Sequence, residues 1–308
     1  MNVTIFLYPI IELKKLVYCI VYMILIIGNE IHEKNKEGLE KMLNELKIEH
    51  KFGNISEIDK YDVIYHPSQA IDTSKYPNKK FIFGPHFSTF PTDKLKGINN
   101  VHNNSVYIQP SIWSKEIWEP HIKKINLPIK VFSFPVNMEK FKPDKKIEER
   151  NRIFIYFKRR NPDELMELIN FCKKKNILPI VFDYVRKYNE EDYLDCLKNA
   201  KFGIILDAHE SQGFAIEEAL SCNVPLLVWN VKTMDQEYGS RYRELNCTSV
   251  PYWDERCGEI FYDVNELEET FNKFVLKLDK YEPRKYIEEN LSVEKCGKKL
   301  ETLIKDIK

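Results

Sequence analysis

Two glutamates, Glu210 and Glu218, stand with seven residues between them in the segment Leu206-Asp-Ala-His-Glu-Ser-Gln-Gly-Phe-Ala-Ile-Glu-Glu-Ala-Leu-Ser-Cys-Asn-Val-Pro-Leu-Leu-Val228. An apolar strand closes at Asp207, a polar loop carries Glu210, and a helix begins near Gly213 with Glu218 inside it. The free N–H groups and dipole of a helix start form a natural seat for phosphate. Carboxylates on either side can hold sugar hydroxyls by charge-assisted hydrogen bonds. Such a constellation suits a nucleotide sugar. A chance pair of glutamates at this spacing is common; the strand, loop, helix and following proline together are not.

A second cluster, Lys158-Arg159-Arg160, directly follows the apolar run Ile153–Phe157. Cations at the end of a strand suit phosphate recognition, whereas three basic residues in a row are otherwise usually a solvated loop. Two histidines, His66 and His86, each end a short strand-like run. His209-Glu210 is not a zincin motif, since Gly213 occupies the place of the second His. No G-x-G-x-x-G follows a strand, and Walker A is absent.

The elements that must position these groups alternate between strand and helix. Val3–Tyr8 reads as an opening strand, Glu33–Lys47 as a helix, and 61–66, 80–84 and 106–108 as short buried strands. A helix over 111–125 and a strand over 129–134 follow. Residues 137–150 are charged, contain Pro143 and read as an interdomain linker. Alternation then restarts, with strands beginning at Arg152, Ile177, Phe202 and Val224. Helices lie between them at 163–175, 190–198 and 213–222. Apolar strands alternating with helices imply parallel sheets covered on both faces. The expected fold class is therefore α/β, with two Rossmann-like domains and a ligand cleft at the C-terminal strand edges. The boundaries fall at 1–143, 144–286 and a C-terminal helical segment 287–308.

Composition limits the alternatives. The chain has 308 residues with 47 Lys+Arg against 47 Asp+Glu, which excludes nucleic-acid binding through bulk positive charge. Seven scattered Cys without C-x-x-C form neither a disulfide framework nor a zinc site, and suggest free thiols in a reducing, cytoplasmic setting. Five N-x-S/T sequons leave a secretory location open. Leu16–Ile27 is an apolar run of 12 residues after Lys14-Lys15, short of the ~20 that a spanning helix needs. It reads as a buried element of the first domain; the other reading, a membrane-dipping segment, leaves a peripheral membrane contact open.

On these residues the chain resembles the retaining glycosyltransferases of family four, which have the GT-B fold. Glu218-Ala-Leu-Ser-Cys-Asn-Val-Pro225 reproduces the second half of their Glu-x7-Glu signature, while the usual Glu-Gly-Phe-Gly opening becomes Glu210-Ser-Gln-Gly-Phe-Ala. The similarity spans roughly residues 130 to 300 and reaches the first domain mainly by architecture. It implies transfer of a sugar from a nucleotide-diphosphate donor, with retention and without metal, to a glycan, lipid or protein acceptor. No cofactor is implied beyond that co-substrate. By the same resemblance Glu210 contacts the donor sugar and Glu218 the ribose. Lys158, Arg159 and Arg160 hold the place of the diphosphate clamp, with one or two of the three on the phosphates and Lys158 at the reacting centre. Ser211, Gln212, Gly213 and Phe214 line the donor site; Tyr184, after the strand at 177–183, reads either as a seat for the base or as an ordinary core-edge aromatic. His86, in Phe83-Gly-Pro-His-Phe, takes the place of the family's sugar-touching histidine. Asn29, His32 and His66 fall on the acceptor side. The segment 133–143, ending Phe-Lys-Pro, resembles the family's hinge, and 292–307 its returning C-terminal helix. A nucleotide-sugar 2-epimerase and a catalytically silent binding protein are alternatives on the same fold.

Overall fold

The computed structural model describes residues 23–28, 31–68, 70–86, 88, 90, 101, 104–122 and 127–307. Two parallel sheets organise the chain. The first contains β1 (Met23–Ile27), β2 (Glu49–Gly53), β3 (Val63–His66), β4 (Lys80–Phe83), β5 (Ser105–Gln109) and β6 (Ile129–Val131), in the order β2-β1-β3-β4-β5-β6. Helices α1 (Glu33–Glu45) and α2 (Ile112–Ile122) are its crossovers. The second contains β7 (Arg152–Lys158), β8 (Ile180–Asp183), β9 (Ala200–Asp207), β10 (Leu226–Trp229) and β11 (Gly258–Phe261), in the order β11-β10-β9-β7-β8. Its helices are α3 (Pro162–Lys174), α4 (Glu190–Asn199), α5 (Phe214–Ser221), α6 (Leu267–Leu276) and α7 (Pro283–Asn290), followed by α8 (Val293–Asp306).

The strands are apolar on both faces because both faces are covered. In the first sheet Ile24, Ile26, Val63 and Ile108 face α1 residues Leu39, Met42 and Leu43, while Leu25, Ile64, Phe81 and Tyr107 pack toward Trp118. In the second, Phe154, Tyr156 and Ile205 meet α4 and α5, and Ile155, Ile204 and Leu227 meet α3 and α6. The period of two along each strand sorts side chains between these layers.

The apolar run at 16–27 resolves at its C-terminal end into β1, which pairs with β2 and β3 and buries Ile24–Ile27. Residues 16–22, and the strand expected over Val3–Tyr8, lie outside the described residues. Among the described residues no helix is long and apolar enough to cross a membrane.

The polar segment 137–150 joins the two sheets but is not a solvated tether. Phe141 is buried, and its carbonyl accepts from Ser221 Oγ at 2.6 Å and Arg284 Nη1 at 3.2 Å. Arg150, also buried, donates to the carbonyls of Lys145, Ala200, Cys222 and Asn223. The last helix packs on α1, where Gly297 admits Leu46, and Lys80 and Lys130 of the first sheet bond Ile304 O and Asp306. The structure differs from the sequence expectation at β6, which ends at Val131, at β8, at the unanticipated β2 and β11, and at the helices α6 and α7. The strand expected from Ile177 begins at Ile180, after Pro179, which has no N–H for the ladder.

Candidate functional site

A cavity of about 450 Å³ lies between the two sheets, at the C-terminal ends of β7 and β9 and beside the segments that follow β1, β3 and β4. The starts of two helices, α1 and α5, both line it. Residues Pro135–Asn137, between β6 and the connecting segment, form part of its wall.

Glu210 occupies the loop between β9 and α5. Its N–H donates to Thr248 O at 3.0 Å, and its carbonyl accepts from the indole of Trp113, in α2, at 2.9 Å. The loop is thus held from both halves of the molecule. The Glu210 carboxylate accepts from Lys158 Nζ at 2.5 Å, with both side chains largely buried. Burial works to raise the Glu210 pKa, but the charge and hydrogen bond of Lys158 hold it below the usual carboxylate range. Burial works in the opposite sense on Lys158, and the charges of Glu210 and Asp207 override it, so the ammonium stays protonated. Tyr184 lies beneath that ammonium, 4.6 Å from ring centroid to Nζ. Lys158, Tyr184 and Glu210 all line the cavity.

Asp207 ends β9 in register with Lys158 and is fully buried. Burial pushes its carboxyl well above the ordinary range. Neither oxygen has a hydrogen-bond partner among the described residues. A carboxyl that burial shifts toward its protonated form therefore backs the Lys158–Glu210 pair.

Gly213 caps α5 with φ +91° and ψ +48°, a left-handed conformation that favours glycine. A Cβ there would stand 3.3 Å from Glu210 Cβ, so the glycine also lets the loop fold closely against the helix start. Phe214 follows and stacks on His32, the residue preceding α1, at 6.0 Å and 5°. Burial, with Lys34 adding, lowers the His32 pKa and keeps the ring neutral. Ser211 is exposed on the cavity wall.

Gln212 also lines the cavity, yet its amide is committed. Its Oε1 accepts from Phe134 N at 3.0 Å, and its Nε2 donates to Phe134 O at 2.7 Å and Glu217 Oε2 at 3.1 Å. It clips the segment after β6 to α5, a structural task beside the expected donor contact. Glu217 is buried beneath it with Oε1 unpartnered among the described residues, and burial pushes its carboxyl well upward.

Glu218 lies on the cavity side of α5, its carboxylate 2.5 Å from Lys34 Nζ of α1. Burial raises its pKa to about 7, with Lys34 opposing the rise. Glu210 and Glu218 thus share one cavity but sit in opposite electrostatic states, one firmly ionised and the other near its titration point.

The basic trio divides. Only Lys158 lines the cavity. Arg160 is buried at 2% exposure and forks onto Glu164, at 2.9 and 2.6 Å. It also bonds Asp207 O at 3.4 Å and Trp229 O at 3.1 Å, tying the ends of β9 and β10 to the first turn of α3. Glu164 is the third helical residue of an Asn161 capping box, which fixes the carboxylate beside Arg160. Arg159 adopts φ +54°, and its half-exposed side chain turns toward Glu237 at 3.6 Å, away from the cavity lining. Of the three cations, one or two of which the resemblance places on the diphosphate, Lys158 alone faces the cavity.

In the first half, His86 and His32 line the cavity. His86 Nδ1 accepts from Ser88 N–H at 2.9 Å, and its ring leans on Trp118. His66 does not line it; Nδ1 lies 3.0 Å from the carbonyl of Pro67, which does. Asn29 lies outside the described residues. The structure adds Lys34, Asn137, Lys140, Tyr188 and Glu190 to the lining. Of these, Asn137 and Lys140 lie in the hinge-like segment 133–143, and the others were not marked in sequence. Among the described residues no group of three or more His, Cys, Asp or Glu is arranged to hold a metal ion.

No protein-family model matches the chain, and no curated protein matches it in sequence. Solved structures do. Sucrose-phosphate synthase from Thermosynechococcus elongatus superposes with TM-score 0.54 at 10% identity, covering 92% of this chain and 98% of that one. The lipopolysaccharide outer core galactosyltransferase WaaB, in its apo form, gives TM-score 0.54 at 13% identity, covering 92% and 99%. The catalytic domain of starch synthase IV from Arabidopsis thaliana, bound to ADP and acarbose, gives 0.50 at 8% identity, covering 88% and 76%. The two parallel sheets and the cleft between them are the GT-B fold, and at these identities the likeness is one of fold.

Proposed function

We propose that this GT-B chain is a glycosyltransferase that moves a sugar from a nucleotide-diphosphate donor to a glycan, lipid or protein acceptor. The observation that carries the reading is the meeting of Lys158, Glu210 and the α5 helix start in one cavity, with Glu218 facing the same space. The starch synthase domain of similar fold was solved bound to ADP and acarbose, which supports a nucleotide-sugar reading.

In this reading the diphosphate sits at the α5 N-terminus, where unpaired N–H groups and the helix dipole favour anions. Lys158, held protonated, neutralises charge developing on the leaving phosphate. Glu218 accepts hydrogen bonds from the ribose hydroxyls, and Tyr184 offers an aromatic face to the base. Glu210 and His86 orient the donor sugar. Glu210 is not the nucleophile: Lys158 already engages its carboxylate at 2.5 Å. The bond from C1 to the phosphate oxygen breaks as the acceptor oxygen bonds C1 from the same face. The acceptor proton passes to the departing phosphate oxygen. The anomeric configuration is retained, and the charges are met by the chain's own groups, without a metal. Positioning and preorganised electrostatics supply the rate.

The six described cysteines are free and buried, which supports a reducing, cytoplasmic setting. The test of stereochemistry is NMR of the product from an α-linked nucleotide sugar. An α-linked product supports the reading, and a β-linked product refutes retention. Conversion of the sugar nucleotide without any acceptor would instead favour an epimerase.

A further inference from the structure

The ion pair between Lys34 and Glu218 joins residues 184 positions apart and crosses the cavity from α1 to α5. Lys34 covers a carboxylate whose side chain is only 6% exposed, while its own is 24% exposed and approaches Glu190 at 3.8 Å. With the ammonium at 2.5 Å, a ligand hydroxyl competes with it for Glu218 Oε1.

Lys34 is in the first turn of α1, where a cation is disfavoured by the helix dipole and an anion is favoured. The ammonium is therefore held there by carboxylates. A phosphate seated at the α5 start, which lines the same cavity, would offer it a counter-charge in place of Glu218.

We propose that Lys34 is a ligand-displaced latch between the two halves of the molecule, pairing with Glu218 in the empty cleft and moving to the ligand's phosphate when hydroxyls take Glu218. The ligand class is a nucleoside diphosphate, with hydroxyls for one member of the pair and negative charge for the other. The inference rests on the functional reading above and adds to it a specific exchange of partners. Surrounding contacts suit such an exchange. The Gln212–Phe134 clip and the His32–Phe214 stack keep α1, the connecting segment and α5 together when the pair opens.

The test is side-chain ammonium NMR of lysine Nζ, with Lys34 assigned through Lys34→Arg, alongside calorimetric titration with uridine, adenosine and guanosine diphosphates. In the empty protein a slowly exchanging Lys34 signal is expected, and Glu218→Gln should abolish it. The diphosphate that binds should shift that signal, and Lys34→Met should weaken its binding roughly tenfold, in line with loss of a charge-assisted contact. The exchanged pair Lys34→Glu/Glu218→Lys should recover the thermal stability lost in Lys34→Met without recovering diphosphate binding.

A diphosphate that binds wild type with the Lys34 signal unmoved, and binds Lys34→Met equally well, overturns the latch and leaves the functional reading intact. An empty-state signal unaffected by Glu218→Gln also overturns it. If none of the three diphosphates binds wild type, the functional reading fails, and with it the displacement step. The cross-cleft pair itself is then decided by the Glu218→Gln spectrum.

Discussion

Replacing Lys158 with Met removes the cation that Glu210 meets at 2.5 Å and leaves two buried carboxyls, Glu210 and Asp207, without it. The paired side chains are 12% and 14% exposed, so bulk water relieves little of the loss. Breaking a buried pair from one side typically costs ~3–5 kcal/mol, and because this pair borders a cavity the lower end, about 3 kcal/mol, is expected. At ~2 °C per kcal/mol for a large chain, that is a fall of roughly 6 °C in Tm. Glu210→Gln should destabilise comparably by stranding Lys158. The double variant Lys158→Met/Glu210→Gln leaves no unpaired charge, so its loss should fall short of the sum by about 2 kcal/mol or more.

The same reasoning gives a pH signature. Without Lys158, burial raises the folded-state pKa of Glu210 above its unfolded value. A raised carboxyl contributes stability that is present below the unfolded pKa and lost as pH rises through the folded one. Lys158→Met should therefore lie closer to wild type at pH 5 than at pH 8, as read by urea unfolding with the m-value held common. Additive single-variant losses, or a Lys158→Met deficit that is the same at both pH values, would refute this account of the pair.

Glu218, raised to about 7 by burial, predicts that nucleoside-diphosphate affinity falls several-fold from pH 8 to pH 6, as the acceptor carboxylate protonates. Calorimetry across that range should show the fall in wild type and a flat profile in Glu218→Gln. The linkage to folding has the opposite sense: this group's contribution is fully present below about pH 4.5 and is lost as pH rises through about 7. Arg160→Met should lose ~3 kcal/mol of stability by stranding Glu164, while the donor KM stays within about twofold, because the guanidinium faces strand ends and not the cavity. A tenfold rise in KM at unchanged kcat would return Arg160 to the donor site. Gly213→Ala places a Cβ at φ +91° and 3.3 Å from Glu210, which should cost ~1–2 kcal/mol and lower kcat by displacing the Glu210 loop. Wild-type kcat with intact stability would show that the tight turn is not required.

Much of the architecture was legible because parallel strands covered on both faces must be written as short apolar runs. The edge strand Glu49-His-Lys-Phe-Gly53 carries no such run, since its side chains are half-exposed or exposed. The four-residue β11, at an edge of the second sheet, was hidden because Gly258 and Glu259 interrupt any apolar run. At the site, the spacing of Glu210 and Glu218 marked both carboxylates because strand, loop and helix follow consecutively in sequence. Which of the basic trio faces the cavity was not legible, because adjacent residues leave a strand in different directions. The clue to Arg160 was present in Asn161-Pro-Asp-Glu164, a capping box that sets an acid beside it. Lys34 could not be matched to Glu218 in advance, since their contact depends on the packing of the two halves.

In the proposed reading this cavity binds a nucleotide-diphosphate sugar and activates its glycosidic bond. The most direct test measures release of nucleoside diphosphate from a panel of nucleotide sugars by wild type, Glu210→Ala and Lys158→Ala. Wild type should turn over at least one donor, and both variants should lose about a hundredfold or more, the scale for removing a preorganised electrostatic group. Absence of turnover and binding across the panel, or wild-type rates in both variants, would contradict that reading.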